Sequence, residues 1–142
     1  MKQICKGYQV LYDAKLLHRD IKPDNILIHN KVFKLADFGL SKKIKSHALN
    51  ENLSHAGSPL YIAPEIIDKN EGSSKVDIFS LGSVLYELAY DGEPPFFKKD
   101  DQYKSPDEYY KNRKTKKLVV PARNKKGEPR SEELRQLIAR ML

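Results

Sequence analysis

The sequence predicts a mainly α-helical, α+β fold with one small β-hairpin, on three observations. Residues 1–16 place Met1, Ile4, Cys5, Tyr8, Leu11 and Tyr12 at the i, i+3, i+4 spacing of one buried helical face. Residues 74–90 carry Val76, Ile78, Phe79, Leu81, Val84, Leu85, Leu88 and Ala89 around nearly the whole circumference, the pattern of a helix enclosed in a core. Two short apolar runs, 26–28 and 32–36, are separated by His29, Asn30 and Lys31, which suits a tight hairpin.

No capping residue precedes Met1, so the first helix is expected to begin part-way through, with Cys5 as a buried thiol on it. Residues 37–65 are polar and irregular, with Gly39, Gly57, Pro59 and Pro64. A stretch so long and structureless inside a compact domain is read here as functional. Ser74 and Asp77 form an S-x-x-D start signal for the apolar helix, and Gly92 with Pro94 and Pro95 stops it. Ser131, Glu132 and Glu133 open a last amphipathic helix with Leu134, Leu137, Ile138 and Met141 on one side. It runs into Leu142 without a terminating Gly or Pro, so both ends of the chain are expected to cut through helices.

The 142 residues fit one domain with a real core. No apolar run approaches the ~20 residues of a membrane span, and no signal-like stretch follows Met1 and Lys2. Cys5 is the only cysteine, which excludes an internal disulfide. His18, His29, His47 and His55 show no metal-ligand spacing. A reducing, intracellular and cytoplasmic setting without membrane attachment is the expectation. The formal charge of +7 is concentrated: residues 98–130 hold 12 Lys/Arg against 5 Asp/Glu, and the remainder balances at 14 against 14. Tyr103, Tyr109 and Tyr110 interleave with these charges, as in some nucleic-acid binders. Without a zinc-finger or helix-turn-helix signature, a solvated basic insertion, open to substrate or partner docking, is preferred to a nucleic-acid site.

The densest chemistry lies in residues 18–25, HRDIKPDN, where five ionisable side chains and an amide sit between apolar runs. This stretch resembles the catalytic loop of the eukaryotic protein kinase family, and Asp37-Phe38-Gly39 is similar to its metal-binding triplet. GSPLYIAPE, from Gly57 to Glu65, resembles the end of the kinase activation segment, here 37–65. DIFSLG, from Asp77 to Gly82, resembles the central helix of that family, and GEPPF, from Gly92 to Phe96, the turn after it. With roughly one chance in twenty per fixed position, five motifs in the family's order are not accidental. The resemblance covers essentially the whole chain and the carboxy-terminal lobe only. A glycine-rich phosphate loop, a V-A-I-K lysine and its partner glutamate, which belong to the amino-terminal lobe, are not found.

The resemblance implies a serine/threonine protein kinase using ATP and Mg²⁺ on a protein substrate. Phosphoryl transfer needs positioning and charge neutralisation more than covalent chemistry. Asp20 is then the proton acceptor, Lys22 the phosphate contact that marks the serine/threonine class, and Asn25 and Asp37 the oxygen ligands of a hard cation. Leu27 corresponds to the floor of the adenine pocket, while His18 and Phe38 resemble members of an internal packing spine. Asp77 can be a helix cap, the carboxylate holding the catalytic-loop backbone, or both. Ser58 resembles the hydroxyl contacting Asp20 and Lys22. Ser54 occupies a common phosphorylation position, where about −1.5 to −2 of added charge could pair with Arg19 and Lys42. Phe79 stands where the family usually has Trp, and the arginine that normally pairs with Glu65 would lie past Leu142. An isolated 142-residue chain is expected to be weakly active or inactive. Its apolar area around Leu27 and Phe38 would call for the missing amino-terminal lobe or a covering partner. An inactive fragment or pseudokinase-like binding module is the alternative.

Overall fold

A computed structural model describes residues 1–54, 56–96, 108, 110 and 118–142. Most of the basic segment expected at 98–130, with Tyr103 and Tyr109, lies outside the described residues, as does His55. Helix α1 (Lys2–Asp13) buries Ile4 and Tyr8 and ends where Lys15 takes a left-handed φ of 53°. That turn takes Leu16 out of the expected helix and into strand β1 (Leu16–Leu17). A 3-10 turn at Pro23–Asn25 leads into the hairpin of β2 (Ile26–His29) and β3 (Val32–Leu35). His29 pairs with Val32, so the connection is the two residues Asn30 and Lys31, not three. Both have positive φ, 49° and 61°, the backbone of a type I′ turn that matches strand twist.

Residues 37–65 hold more structure than their composition suggested. Strand β4 (Lys42–Lys43) pairs with β1, and β5 (Glu51–Asn52) pairs with β6 (Glu71–Gly72), both antiparallel. Helix α2 (Pro64–Lys69) opens with Pro at its first position, where the missing N–H costs nothing. Helices α3 (Lys75–Ala89) and α4 (Glu132–Met141) follow. Ser131 caps α4, its hydroxyl accepting from the Leu134 N–H at 3.3 Å.

Helix α3 is the axis of the molecule. Val76 and Phe79 pack with Leu17, Ile44, Leu53, Ile62 and Ile66, while Leu81 and Val84 pack with Ile4, Tyr8 and Ile21. Two cores on opposite faces account for its all-round apolar sequence. Leu88 departs from that pattern and is 66% exposed: the carboxy-terminal end of α3 buries Ala89 and Tyr90 against Ile138 of α4, and Leu88 is not part of that cluster. Cys5 is likewise exposed rather than buried, since the buried face of α1 is centred on Ile4 and Tyr8. The S-x-x-D signal marks the helix start but forms no capping box: Ser74 Oγ donates to the His47 carbonyl, and Asp77 turns to another task. Beyond α3, residues 118–130 fold back on its end, with Asn124 Nδ2 donating to Asp91 Oδ1 and Arg130 Nε to the Ala89 carbonyl. Among the described residues no helix is long and apolar enough to cross a membrane.

Gly82 is where α4 meets α3: a Cβ there would lie 2.7 Å from Met141 Cβ. Gly82→Val should therefore destabilise the chain by about 1–3 kcal/mol through overpacking, read as a lower urea midpoint. An unchanged midpoint would mean that α4 is free to move away.

Candidate active site

The site is built outward from Asp77. Its side chain, fully buried in the first turn of α3, accepts from the His18 N–H at 2.7 Å and the Arg19 N–H at 2.9 Å. Burial pushes this carboxyl upward, opposed first by those two backbone donors. The loop backbone is thereby fixed with Arg19 at a φ of 69°, a conformation non-glycine residues seldom adopt without support. His18 is also fully buried; its Nε2 donates to the Ala36 carbonyl at 3.1 Å and its Nδ1 accepts from the Asp20 N–H at 3.3 Å. Of the two readings open for Asp77, helix cap or holder of the loop, the hydrogen bonds show the second.

With the backbone held, Asp20 projects into a polar cluster. Its Oδ1 accepts from the Ser58 N–H at 2.9 Å and from Ser58 Oγ at 2.8 Å. Its Oδ2 lies 2.8 Å from Lys22 Nζ and accepts from Asn25 Nδ2 at 2.9 Å. Lys22 Nζ also donates to Ser58 Oγ at 2.7 Å, so one hydroxyl is held between the carboxylate and the ammonium. Burial works against ionisation of Asp20, but hydrogen bonds from Lys22, Ser58 and Asn25, with the Lys22 charge, outweigh it and hold the carboxyl below its ordinary range. Gly57 makes the approach of Ser58 possible. Its φ is 119°, and a Cβ there would meet the Arg19 carbonyl oxygen at 2.6 Å.

The hairpin carries the second half of the site. The Ala36 N–H donates to the Asn25 carbonyl at 2.9 Å, which brings the Asp37 triplet alongside Asn25. Asp37 has a φ of 62°, and its Oδ1 accepts from the Gly39 N–H at 3.1 Å. Phe38 lies against His18, ring centroids 5.1 Å apart, yet is 47% exposed. Leu27, opposite Lys34 in the hairpin, is 55% exposed.

The remaining expected residues divide. Arg19 reaches Ser54, donating to its carbonyl at 2.7 Å and its Oγ at 2.8 Å. Lys42 instead donates to the Asn52 carbonyl, two residues short of Ser54. Glu65 sits in the first turn of α2, and none of the described hydrogen bonds joins it to the cluster. Two positions went unnoticed in the sequence. Tyr61 donates its hydroxyl to Glu87 Oε2 at 2.7 Å, and its carbonyl accepts from Ser80 Oγ at 2.8 Å, anchoring the end of residues 37–65 to α3. Burial raises the Glu87 carboxyl, the Tyr61 hydrogen bond opposes this, and the charge of Asp24 adds to it. A second carboxylate on a helix whose sequence is mostly apolar is the signal that could have found Glu87.

This arrangement on this fold is that of a protein kinase, and the chain belongs to the protein kinase family, whose domain it matches over residues 1–142. It is 39% identical over 99 residues to the serine/threonine-protein kinase shk2 of Schizosaccharomyces pombe, covering 69% of this chain and 16% of that protein. Similarity to a probable serine/threonine-protein kinase PLK of Dictyostelium discoideum is 37% over 139 residues, covering 90% of this chain and 14% of that protein. ATG1a of Arabidopsis thaliana, another serine/threonine-protein kinase, is 39% identical over 100 residues, covering 68% and 16% respectively. The chain thus spans no more than 16% of the length of these three relatives. The relatives are named as serine/threonine protein kinases, a class that generally uses ATP and Mg²⁺ and acts on proteins.

Asp77→Ala would strand two buried N–H groups, and a loss of about 2–5 kcal/mol is expected, measured by urea unfolding. A loss within 0.5 kcal/mol, about the range of a neutral surface change, would show that the loop does not depend on this carboxylate. Asp20 supplies a pH prediction. Its folded pKa is depressed, so its contribution to stability is complete above its unfolded value, about 3.9, and is lost as pH falls through the lower folded value. Between pH 5 and pH 2, wild-type stability should fall more steeply than that of Asp20→Asn, and parallel curves would contradict the depressed value.

Proposed function

We infer that residues 1–142 form the carboxy-terminal, catalytic lobe of a serine/threonine protein kinase, moving the γ-phosphoryl group of Mg·ATP to a protein hydroxyl. The observation that carries this reading is the Ser58 hydroxyl held between the Asp20 carboxylate and the Lys22 ammonium. A protein acceptor requires the same pair: an anion to take the hydroxyl proton and a cation to meet the phosphate. Asp20, kept ionised by its donors, accepts the proton at a carboxylate oxygen, and Lys22 neutralises the moving group.

The donor set suits a hard cation. Asn25 spends its Nδ2 on Asp20, which leaves Oδ1 as a neutral oxygen ligand, and Asp37 keeps an anionic oxygen beyond the one bonded to Gly39. When bound, Mg²⁺ supplies charge neutralisation on the phosphates. Leu27 offers an apolar floor for the adenine ring. The exposed Leu27, Ile28, Val32, Phe33 and Phe38 support an apolar surface that an amino-terminal lobe or a partner covers. The Arg19–Ser54 contact supports Ser54 as a regulatory phosphorylation site, with Lys42 as the nearby second cation.

The test is phosphotransfer to a protein by the complete polypeptide that contains these residues. Asp20→Asn should lower kcat by about 10²–10⁴-fold, Asp37→Ala should do the same, and chelation of Mg²⁺ should abolish turnover. The 142-residue chain alone should turn over weakly or not at all. Wild-type protein that binds a protein partner yet transfers no phosphate would make it a binding module instead. Nucleic-acid binding with a steep salt slope, untouched by either change, would make it a basic nucleic-acid binder.

A further inference from the structure

Residues 44–54 leave β4, turn outward and return to Arg19, and the midpoint of that excursion is held by a contact outside the cluster around Asp20. The Tyr12 ring of α1 and the His47 imidazole lie face to face, centroids 3.7 Å apart and planes 7° from parallel. On another side of the same residue, Ser74 Oγ donates to the His47 carbonyl at 3.1 Å. Ser74 is itself tied to α1, its carbonyl accepting from the Tyr8 hydroxyl at 3.2 Å. Upstream, the Ile44 N–H donates to the Lys15 carbonyl at 2.9 Å and Lys15 Nζ to the Lys45 carbonyl at 3.3 Å.

Downstream, Glu51 Oε1 accepts from the Lys45 N–H, closing the excursion on itself. Closure brings β5 to β6, seats Leu53 in the core and delivers Ser54 to the Arg19 guanidinium. Residues 48–50 between these anchors are exposed. A loop pinned at its midpoint has far fewer conformations than one held only at its ends. Aromatic stacking is directional enough to select one of them.

We propose that Tyr12 and His47 form a clasp that positions the activation segment, and through Ser54 and Arg19 the acceptor side of the site. Tyr12 is thus a positioning residue for phosphotransfer, although it touches no reacting group. The clasp stands on the geometry alone; its consequence for turnover rests on the kinase reading above.

Two measurements separate these levels. In a Cys5→Ser background, a fluorophore on Leu49→Cys reports the mobility of the segment in the 142-residue chain by steady-state anisotropy. Tyr12→Ala and His47→Ala should each lower the anisotropy, corresponding to about a two- to tenfold fall in the ratio of docked to free segment. The double variant should fall no further than either single one, because both remove the same contact. Tyr12→Phe, which keeps the ring, should match wild type. Additive effects, or Tyr12→Phe behaving like Tyr12→Ala, would overturn the clasp. In the complete kinase, Tyr12→Ala should raise KM for the protein substrate several-fold with kcat within about twofold, and Tyr12→Phe should restore it. An unmoved KM would overturn the positioning role, whereas loss of turnover confined to Asp20→Asn bears on the chemistry alone.

Discussion

At the centre of the molecule Asp77 holds the backbone of His18 and Arg19 with its two carboxylate oxygens. An ionisable group with no exposed surface is costly unless its hydrogen bonds are satisfied, and these two donors satisfy it. The arrangement works because Asp77 stands on the first turn of α3, a helix gripped by separate cores on opposite faces. The loop therefore inherits the rigidity of the core. Arg19 can keep its left-handed backbone, and Asp20, Lys22 and Asn25 project from a frame that does not have to be rebuilt at each encounter with a ligand. A catalytic cluster on a loop gains precision when the loop is bonded to a rigid element in this way.

The segment of residues 37–65 is organised around the same frame from the outside. Its ties include β4 to β1, the Tyr12–His47 stack to α1, β5 to β6, Arg19–Ser54 and Asp20–Ser58 to residues 19–20, and Tyr61–Glu87 to α3. Between these ties it is short of apolar burial, with Leu53 the one deeply buried side chain between residues 45 and 61 among those described. Such a segment sits at the low-stability end of a fold, where small changes in charge or contact shift its position.

The regular elements were largely legible. The 3.6-residue period placed α1, α3 and α4, turn chemistry located the hairpin, and Ser131 marked the start of α4. Failures came where a long-range partner overrode a local signal. Leu16 joined a strand because Lys43 lies opposite it, and Ser74 and Asp77 gave up a local capping box for bonds to His47 and to the 18–19 backbone. Cys5 and Leu88 fit an apolar face by spacing but stay exposed beside the buried Ile4 and Ala89. In the site, Asp20, Lys22, Asn25 and Asp37 were named through the resemblance of their motifs to the kinase family, whereas Tyr61, Glu87 and Tyr12 were not, because their partners lie 26 and 35 residues away in the chain.

Sequence alone determined the kind of chemistry available: which carboxylates, amide and ammonium stand close together in the chain, and which helices have to be buried. Those properties are local, carried by residue type and spacing. Tertiary structure decided which groups meet. It turned Asp77 from a helix-start residue into the support of the loop, brought Ser58 across 38 residues to Asp20, and chose Gly57 as the position where only a missing side chain lets the two segments touch. Such meetings depend on packing in three dimensions around α3; residue type and period do not encode them, and only the family resemblance had implied Asp77 on the loop backbone and Ser58 on Asp20.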